Sequence, residues 1–438
     1  MIAMIMLCSL IVGIFIGIPV AFTLIFLALG FGYVVMGQNV FDLAYYNLIG
    51  GLSNEVFMAI PMFIFMGYIC ERAGLVERLF DSLKTVVGNL YIVVIIIAVL
   101  ISLATGVVGA SVTLLGIMAA PHMMRLGYNP KLTAGVIAGG GSMIMIPPSV
   151  PLIVMAPTMN LNIIDLYAGV LVPGLMIALM YMIYCSFYPR PKSDEKPQYG
   201  RVLIDVLPLT FLIAMVLGSM LFGLATSTEA ASFGAFGAII LALLNGRLSL
   251  RESLLKTCDT TSVVMLLALA SMIFGAVFTS LGGDTVIVDA LNSLPIPSWA
   301  LVGCILVLCH LLGWPFEWPV VVLVFLPIFL PVLVANNVDM LWFAVCLAIV
   351  IQTTYLTPPV ALTSYYLKQV VPEWDLGMIF KSMIPFMWIQ ILAIVILFLA
   401  PGIATWFPNY LKTDNSTVIN KIEGEISFPQ FENMIKEK

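Results

Sequence analysis

The chain is cut into long stretches that hold no charged residue. Its first charge is Asp42, and charge-free runs recur at 85–124, 132–164, 166–189, 206–228, 230–246, 260–283, 290–316, 318–338, 340–367 and 382–411. One helical crossing of a bilayer takes about 20 apolar residues, and most of these runs suffice for one or more. With 62% hydrophobic and 9% charged residues, against about 25% charged in soluble domains, water cannot be the main solvent. The sequence predicts an all-α polytopic membrane protein with about eleven transmembrane helices.

Several function classes fall away early. The net charge of −5 is thinly spread, with no basic patch interleaved with aromatics, so nucleic acid is not an expected partner. G-x-x-x-x-G-K-[ST] is absent, which excludes ATP hydrolysis by this chain. Neither His122 nor His310 has Glu or Cys at metal-ligand spacing, and no Ser–Lys pair or acid dyad points to a membrane enzyme. Seven cysteines without C-x-x-C spacing read as small buried hydrophobes. The uncharged start lacks the basic segment of a secretory signal and is expected to be mature helix.

The informative places are where the apolar runs break. Ala138 to Leu152 reads AGGGSMIMIPPSVPL, and Thr353 to Leu362 reads TTYLTPPVAL. A Pro-Pro pair cannot continue an α-helix, because proline lacks an N–H and clashes with the preceding turn. Backbone inside hydrocarbon must satisfy its own hydrogen bonds, so a break persists only where protein or a wet cavity covers it.

The two breaks have matching surroundings. Upstream of each lies a tip rich in small residues or Gly/Pro, then an apolar run that ends in proline: 102–121 before the first, 312–331 before the second. Pro121 precedes Pro147 by 26 residues, and Pro331 precedes Pro358 by 27. Farther upstream, Ala73 to Leu83 matches Gly282 to Leu291, with Gly74 aligned on Gly283. The repeat is roughly 200 residues long, far beyond a solenoid unit. The expected organisation is a first repeat at 1–188 with a re-entrant hairpin at 102–121 and a broken helix at 132–157. A charged, Pro-rich linker at 189–201 separates it from a second repeat at 202–410, with hairpin 312–331 and broken helix 342–367. A polar tail fills 411–438. Paired interrupted helices in two inverted halves are the sequence pointer to a transporter site.

Lys and Arg excess places the linker (Arg190, Lys192, Lys196, Arg201) and the base of the first hairpin (Arg125, Lys131) in the cytoplasm. The loop from Asn336 to Asp339, without Lys or Arg, reads as external. Asn39 to Asn54 and Leu75 to Gly88 mix charge with apolar residues at helical spacing, and are expected either to lie flat at the headgroups or to connect spans.

A broken helix bares carbonyls at the end of one half and N–H groups at the start of the other, so it attracts a cation at one end and an anion at the other. The first constellation offers Ser102, Thr105, Gly106, Gly109 and Ser111 at the tip against Ser142, Ile146 and Pro147 at the break. The second offers Gly313 and Glu317 against Thr353, Thr354, Thr357 and Pro358. Carbonyls and hydroxyls suit a hard cation such as sodium. The competing reading is that the glycines and serines serve close helix packing. Glu317, between Trp314 and Trp318, is an intramembrane carboxylate with three possible roles: ion contact, helix cap or proton relay. Glu229 is expected to be structural, with Ser227 or Thr228 as the N-cap.

Taken together, GGGSMIMIPPSVPLIV, LTPPVALTSYYL, TSTEAA, AIPMFIFMGYICERAGLVERLF and TGVVGASVTLLGIMAAPHMMRLGYNP resemble the large membrane subunit of TRAP (tripartite ATP-independent periplasmic) transporters, from about Gly13 to Trp406. The resemblance implies sodium-coupled uptake of a small organic anion, of carboxylate or sulfonate type, by an elevator mechanism in the bacterial inner membrane. It implies two or more coupling sodium ions and no covalent cofactor. The implied partners are a small membrane subunit of about four helices, a periplasmic substrate-binding protein and the lipid bilayer. It places the metal ligands in the two constellations, and the substrate between the tips, near Gly109, Ala110, Ser149, Trp314 and Pro359. The chain departs from the family where Gly141-Ser142-Met143 replaces a Thr-Leu-Gly before the first Pro-Pro pair. The rival reading is a stand-alone ion-coupled carrier or antiporter of the divalent-anion type.

Overall fold

The computed structural model describes residues 1–189, 191, 199–293 and 295–412, excepting the side chains of Ala104, Thr105 and Asn292. Most of the linker expected at 189–201, and the tail beyond residue 412, lie outside the described residues. Among the described residues the secondary structure is helical throughout.

The helices fall into two series of the same order. Glu55–Arg72, Leu75–Val87, the arms Leu90–Thr105 and Val108–Arg125, the half-helices Pro130–Gly141 and Val150–Thr158, and Ile163–Ser186 form the first. Leu250–Ser280, Gly283–Asn292, the arms Ser298–Leu312 and Trp318–Ala335, the half-helices Met340–Thr354 and Leu362–Val370, and Leu376–Leu399 form the second. Each hairpin thus has a full first arm upstream of the range read from the sequence, which covered only the tip and the second arm.

Among the described residues, six helices are long and apolar enough to cross a bilayer, and Asn39–Leu52 with Glu55–Arg72, bent by 54°, make a seventh if taken together. Shorter apolar helices, among them Ile2–Phe15, Val20–Met36, Ser298–Leu312 and Met340–Thr354, accompany them.

Local sequence explains where the elements start. Asn129 and Asp339 cap the two broken helices, each accepting from backbone N–H groups of the first turn, and Asn162 and Asp375 cap the helices that follow them. Gly74 and Gly282, both left-handed, start the short helices Leu75–Val87 and Gly283–Asn292. Gly282 is therefore the counterpart of Gly74, one residue earlier than the sequence match suggested. Leu75–Val87 is amphipathic, burying Leu75, Val76, Leu79, Phe80 and Leu83.

The N-cap of Ser227–Leu244 is Thr226, not Ser227 or Thr228. Its Oγ1 accepts from the Glu229 N–H at 3.3 Å while Glu229 Oε2 accepts from the Thr226 N–H at 2.8 Å, a reciprocal box that gives Glu229 a structural role. Of the seven cysteines, Cys70, Cys185, Cys309 and Cys346 are buried, but Cys8, Cys258 and Cys304 are exposed on apolar helices, so the uniformly buried reading does not hold.

The halves exchange partners. Glu55–Arg72 packs on Ser227–Leu244, and Val20–Met36 on Leu250–Ser280, forming an outer frame. Pro130–Gly141 packs on Leu376–Leu399, and Met340–Thr354 on Ile163–Ser186, forming an inner unit; both arms of the first hairpin pack on Pro130–Gly141 and the first arm of the second on Met340–Thr354, while Trp318–Ala335 packs on Leu250–Ser280 and Gly283–Asn292. Pro130–Gly141 is buried from Leu132 to Gly141, and Met340–Thr354 from Phe343 to Thr354. Helices apolar on every face belong at the centre of such a bundle.

One arm departs from its counterpart. Val108–Arg125 is α-helical, whereas Trp318–Ala335 carries a π-helical turn at Val321–Phe325, and the Leu323 carbonyl there accepts the Ser271 hydroxyl.

Candidate functional site

Close approach, argued residue by residue, brings tips and breaks together. Gly106 ends the first arm in the left-handed conformation (φ +61°), and a Cβ there would lie 3.3 Å from the Val150 N and 3.4 Å from the Ser149 Cα. The first tip therefore sits on the downstream end of the first break. A Cβ on Gly313 would lie 2.5 Å from Thr354 Cγ2, so the second tip sits on the second break. One on Gly109 would lie 3.0 Å from the Tyr366 ring, which joins the first tip to the second broken helix. Both breaks contain a cis Pro-Pro bond, Pro147-Pro148 and Pro358-Pro359.

The glycines just before the first break have the packing role. Cβ atoms on Gly139, Gly140 and Gly141 would lie 2.8 Å from Phe386 Cδ1, 2.9 Å from Ala98 Cβ and 2.5 Å from Val112 Cγ2. They let both hairpin arms and Leu376–Leu399 approach the half-helix, the competing reading of small residues realised at these positions.

The first break, Ser142 to Ser149, is entirely buried. At its upstream end the Ser142 hydroxyl donates to the Gly139 carbonyl (2.8 Å) and accepts from Gln390 Nε2 (3.2 Å), which also donates to the Tyr181 hydroxyl (2.8 Å). Gln390 Oε1 is left without a partner among the described residues. Ile146 packs its side chain toward Gly174, leaving its backbone as the polar element of the position.

At the downstream end, Ser149 is the N-cap of Val150–Thr158 but makes no side-chain cap bond, and its Oγ has no partner among the described residues. The Tyr167 hydroxyl comes against the Ser149 backbone at a geometry short of a hydrogen bond, and is likewise unpartnered. Ser102 Oγ, fully buried near the first tip, is a fourth such atom. A buried polar atom without a partner costs about 1–3 kcal/mol. Four in one region is a penalty that solute or water meeting them would remove.

The ends differ in polarity. Upstream lie helix-end carbonyls, a serine oxygen and an amide oxygen, all suited to a cation. Downstream lie a half-helix N-terminus and two hydroxyls able to donate, suited to an anion.

In the second break, the buried hydroxyls of Thr353, Thr354 and Thr357 donate to the carbonyls of Ile349 (2.7 Å), Ile351 (2.6 Å) and Thr353 (2.8 Å). Each proton is committed to the helix, so the oxygen lone pairs remain for a cation. The Ser111 hydroxyl donates to the Val107 carbonyl (3.0 Å) at the first tip. Pro358 is half-buried and Pro359 exposed, so this break is more open than the first. Trp314, half-buried, stacks edge-on to His310 with ring centroids 5.9 Å apart, and its Nε1 has no partner among the described residues. Ala110 is half-buried in the first turn of its arm. The Thr105 side chain lies outside the described residues.

Glu317 is exposed as the N-cap residue of Trp318–Ala335, and its side chain makes no cap bond. It lies within electrostatic reach of Tyr355 and Tyr366. Tyr366 thus faces Gly109 of one tip and Glu317 of the other. Gln352, Gln390, Tyr167 and Tyr366 escaped the sequence reading. Polar residues inside charge-free runs are the signal that could have found them.

A family model described as "Tripartite ATP-independent periplasmic transporter, DctM component" matches residues 7–403. The chain belongs to this family. It is a multi-pass membrane permease, the large component of a TRAP transporter, and not an enzyme. The sialic acid TRAP transporter large permease of Vibrio cholerae is 28% identical over 372 residues, covering 81% of this chain and 87% of the relative. The C4-dicarboxylate TRAP transporter large permease of Pseudomonas aeruginosa is 26% identical over 371 residues (81% and 86%), and the 2,3-diketo-L-gulonate large permease of Escherichia coli 26% over 365 (80% and 85%). Among solved structures, the YdaH transporter of Alcanivorax borkumensis aligns with a TM-score of 0.62 at 16% identity, covering 85% of this chain and 90% of that one. MtrF of Neisseria gonorrhoeae aligns at 0.57 and 13% identity, covering 83% and 84%. These two likenesses concern the fold alone.

Proposed function

We propose that this TRAP permease couples sodium entry to uptake of a small organic anion of the carboxylate type. It works in the bacterial inner membrane with a small membrane subunit and a periplasmic binding protein. The observation that carries the reading is the polarity of the first break, with unpartnered buried oxygens at both ends: acceptors where carbonyls end, hydroxyls where N–H groups begin. Sodium occupies the carbonyl ends of both breaks. A carboxylate is received between the tips, against Ser149 and the start of Val150–Thr158, with Gly109, Ala110, Trp314 and Pro359 lining the space. The carboxylate class is favoured because relatives are named for sialic acid, C4-dicarboxylate and diketogulonate. The two series of helices form inverted repeats. The inner unit of hairpins and broken helices moves as an elevator against the outer frame, and ion and solute favour each other's binding by linkage.

The test is uptake of a labelled C4-dicarboxylate or sialic acid into proteoliposomes holding the permease and its small subunit, with the binding protein outside. An inward sodium gradient should drive accumulation, and replacing sodium with choline should abolish it. Uptake that persists in choline overturns the sodium reading, and undiminished uptake without binding protein favours a stand-alone carrier.

A further inference from the structure

The two breaks are not independent in this fold. Gln352 is the third residue from the end of Met340–Thr354, immediately before Thr353 and Thr354, and is buried at 2% exposure. Its side chain does not stay with its own half. Gln352 Oε1 accepts the Met145 N–H at 3.3 Å, across 207 residues of sequence. Met145 lies in the middle of the first break, itself buried, where the chain has left the helix and its N–H has lost an intrahelical acceptor. One amide group thus supports the irregular backbone of the first break from the residue next to the threonines of the second.

We propose that Gln352 is a positioning residue that couples occupancy of the two breaks. The inference rests on the sodium reading above and extends it. A cation at Thr353, Thr354 and Thr357 fixes the end of Met340–Thr354, and with it the Gln352 side chain. Gln352 then holds the Met145 N–H, so the carbonyls at Ile146 and Pro147 are presented in one arrangement. Binding at the second break thereby prepares the first, and the effect is reciprocal. Gln390 provides the contrast. It too reaches the first break from the second half, through Ser142, but it lies on Leu376–Leu399 and not on the helix that carries Thr353 and Thr354.

The experiment is a sodium titration of the full-length permease in nanodiscs, with choline holding ionic strength constant. Equilibrium binding of radioactive sodium is read alongside tryptophan fluorescence, since Trp314 and Trp318 flank the second tip. The wild-type curve should be steeper than a single-site isotherm. Gln352→Met keeps the length and removes the acceptor; it should give a curve no steeper than one site, with half-saturation raised about tenfold. Gln352→Glu restores an acceptor oxygen and should restore the steepness. Gln390→Met should weaken binding while leaving the curve steep. Thr357→Val leaves Gln352 in place and serves if the Gln352 variants fail to fold: coupling requires that loss of this second-break ligand also weakens the remaining sodium phase. A Gln352→Met curve as steep as wild type, or a remaining phase unmoved in Thr357→Val, overturns the coupling alone. A wild-type protein that binds no sodium overturns both the coupling and the sodium reading.

Discussion

Replacing Gly106 by alanine separates the demands of a turn from the demands of the site. Gly106 (φ +61°) and Gly88 (φ +62°) both end helices in the left-handed conformation. An L-residue there costs about 1–2 kcal/mol, so both alanine variants should lose stability by that amount. Their surroundings differ. A Cβ on Gly88 meets nothing within 4 Å, whereas one on Gly106 meets the Val150 N at 3.3 Å and the Ser149 Cα at 3.4 Å. These are backbone atoms and cannot swing aside, so tip and break must shift by a few tenths of an ångström. Overpacking of this kind adds about 1–3 kcal/mol, and 1.4 kcal/mol is about a factor of ten in an equilibrium constant. Gly88→Ala should therefore transport within about twofold of wild type. Gly106→Ala should need about ten times more sodium or substrate for half-maximal uptake. Proteoliposome uptake over a sodium series, with denaturation midpoints for both variants, makes the comparison. Equal sodium dependence in the two variants would refute the placement of the first tip on the first break.

Three further outcomes are expected. Ser149→Ala removes an unpartnered buried hydroxyl, so the ligand-free protein should be unchanged or about 1 kcal/mol more stable while half-saturation by the organic anion rises; a loss of stability would make the hydroxyl structural. Glu317→Gln should lower uptake at saturating sodium because the exposed carboxylate faces Tyr355 and Tyr366 at the second tip, and full activity would exclude it from the cycle. Thr226→Ala breaks the reciprocal cap with Glu229 and should cost about 1 kcal/mol of stability with an unchanged sodium midpoint, a shifted midpoint being evidence against a purely structural role.

What could be read from the sequence was whatever proline, glycine and missing charge enforce. The Pro-Pro pairs located both breaks, and the small-residue tips located the hairpin turns, because no continuous helix tolerates either. First arms such as Leu90–Thr105 carry no such mark, since an unbroken apolar run shows no seam where it joins the preceding element. Gly139, Gly140 and Gly141 show the limit for function. Beside a break a glycine serves packing or ion access equally well in one dimension, and only the neighbours Phe386, Ala98 and Val112 decide it. The bonds that organise the first break, from Gln352 and Gln390, span 207 and 248 residues. No local pattern announces a contact of that range, and a lone glutamine in an apolar run reads as a tolerated exception.

The exchange of partners between halves bears on how the chain is made. Pro130–Gly141 is walled by Leu376–Leu399, which is synthesised more than two hundred residues later. The early centre must wait, with its Phe386-facing glycines uncovered, until nearly all of the polypeptide has entered the bilayer. Cutting the chain near residue 195 would yield fragments that each lack an inner wall. Expressed apart they are material for quality control, and expressed together they have the surfaces to complete one another.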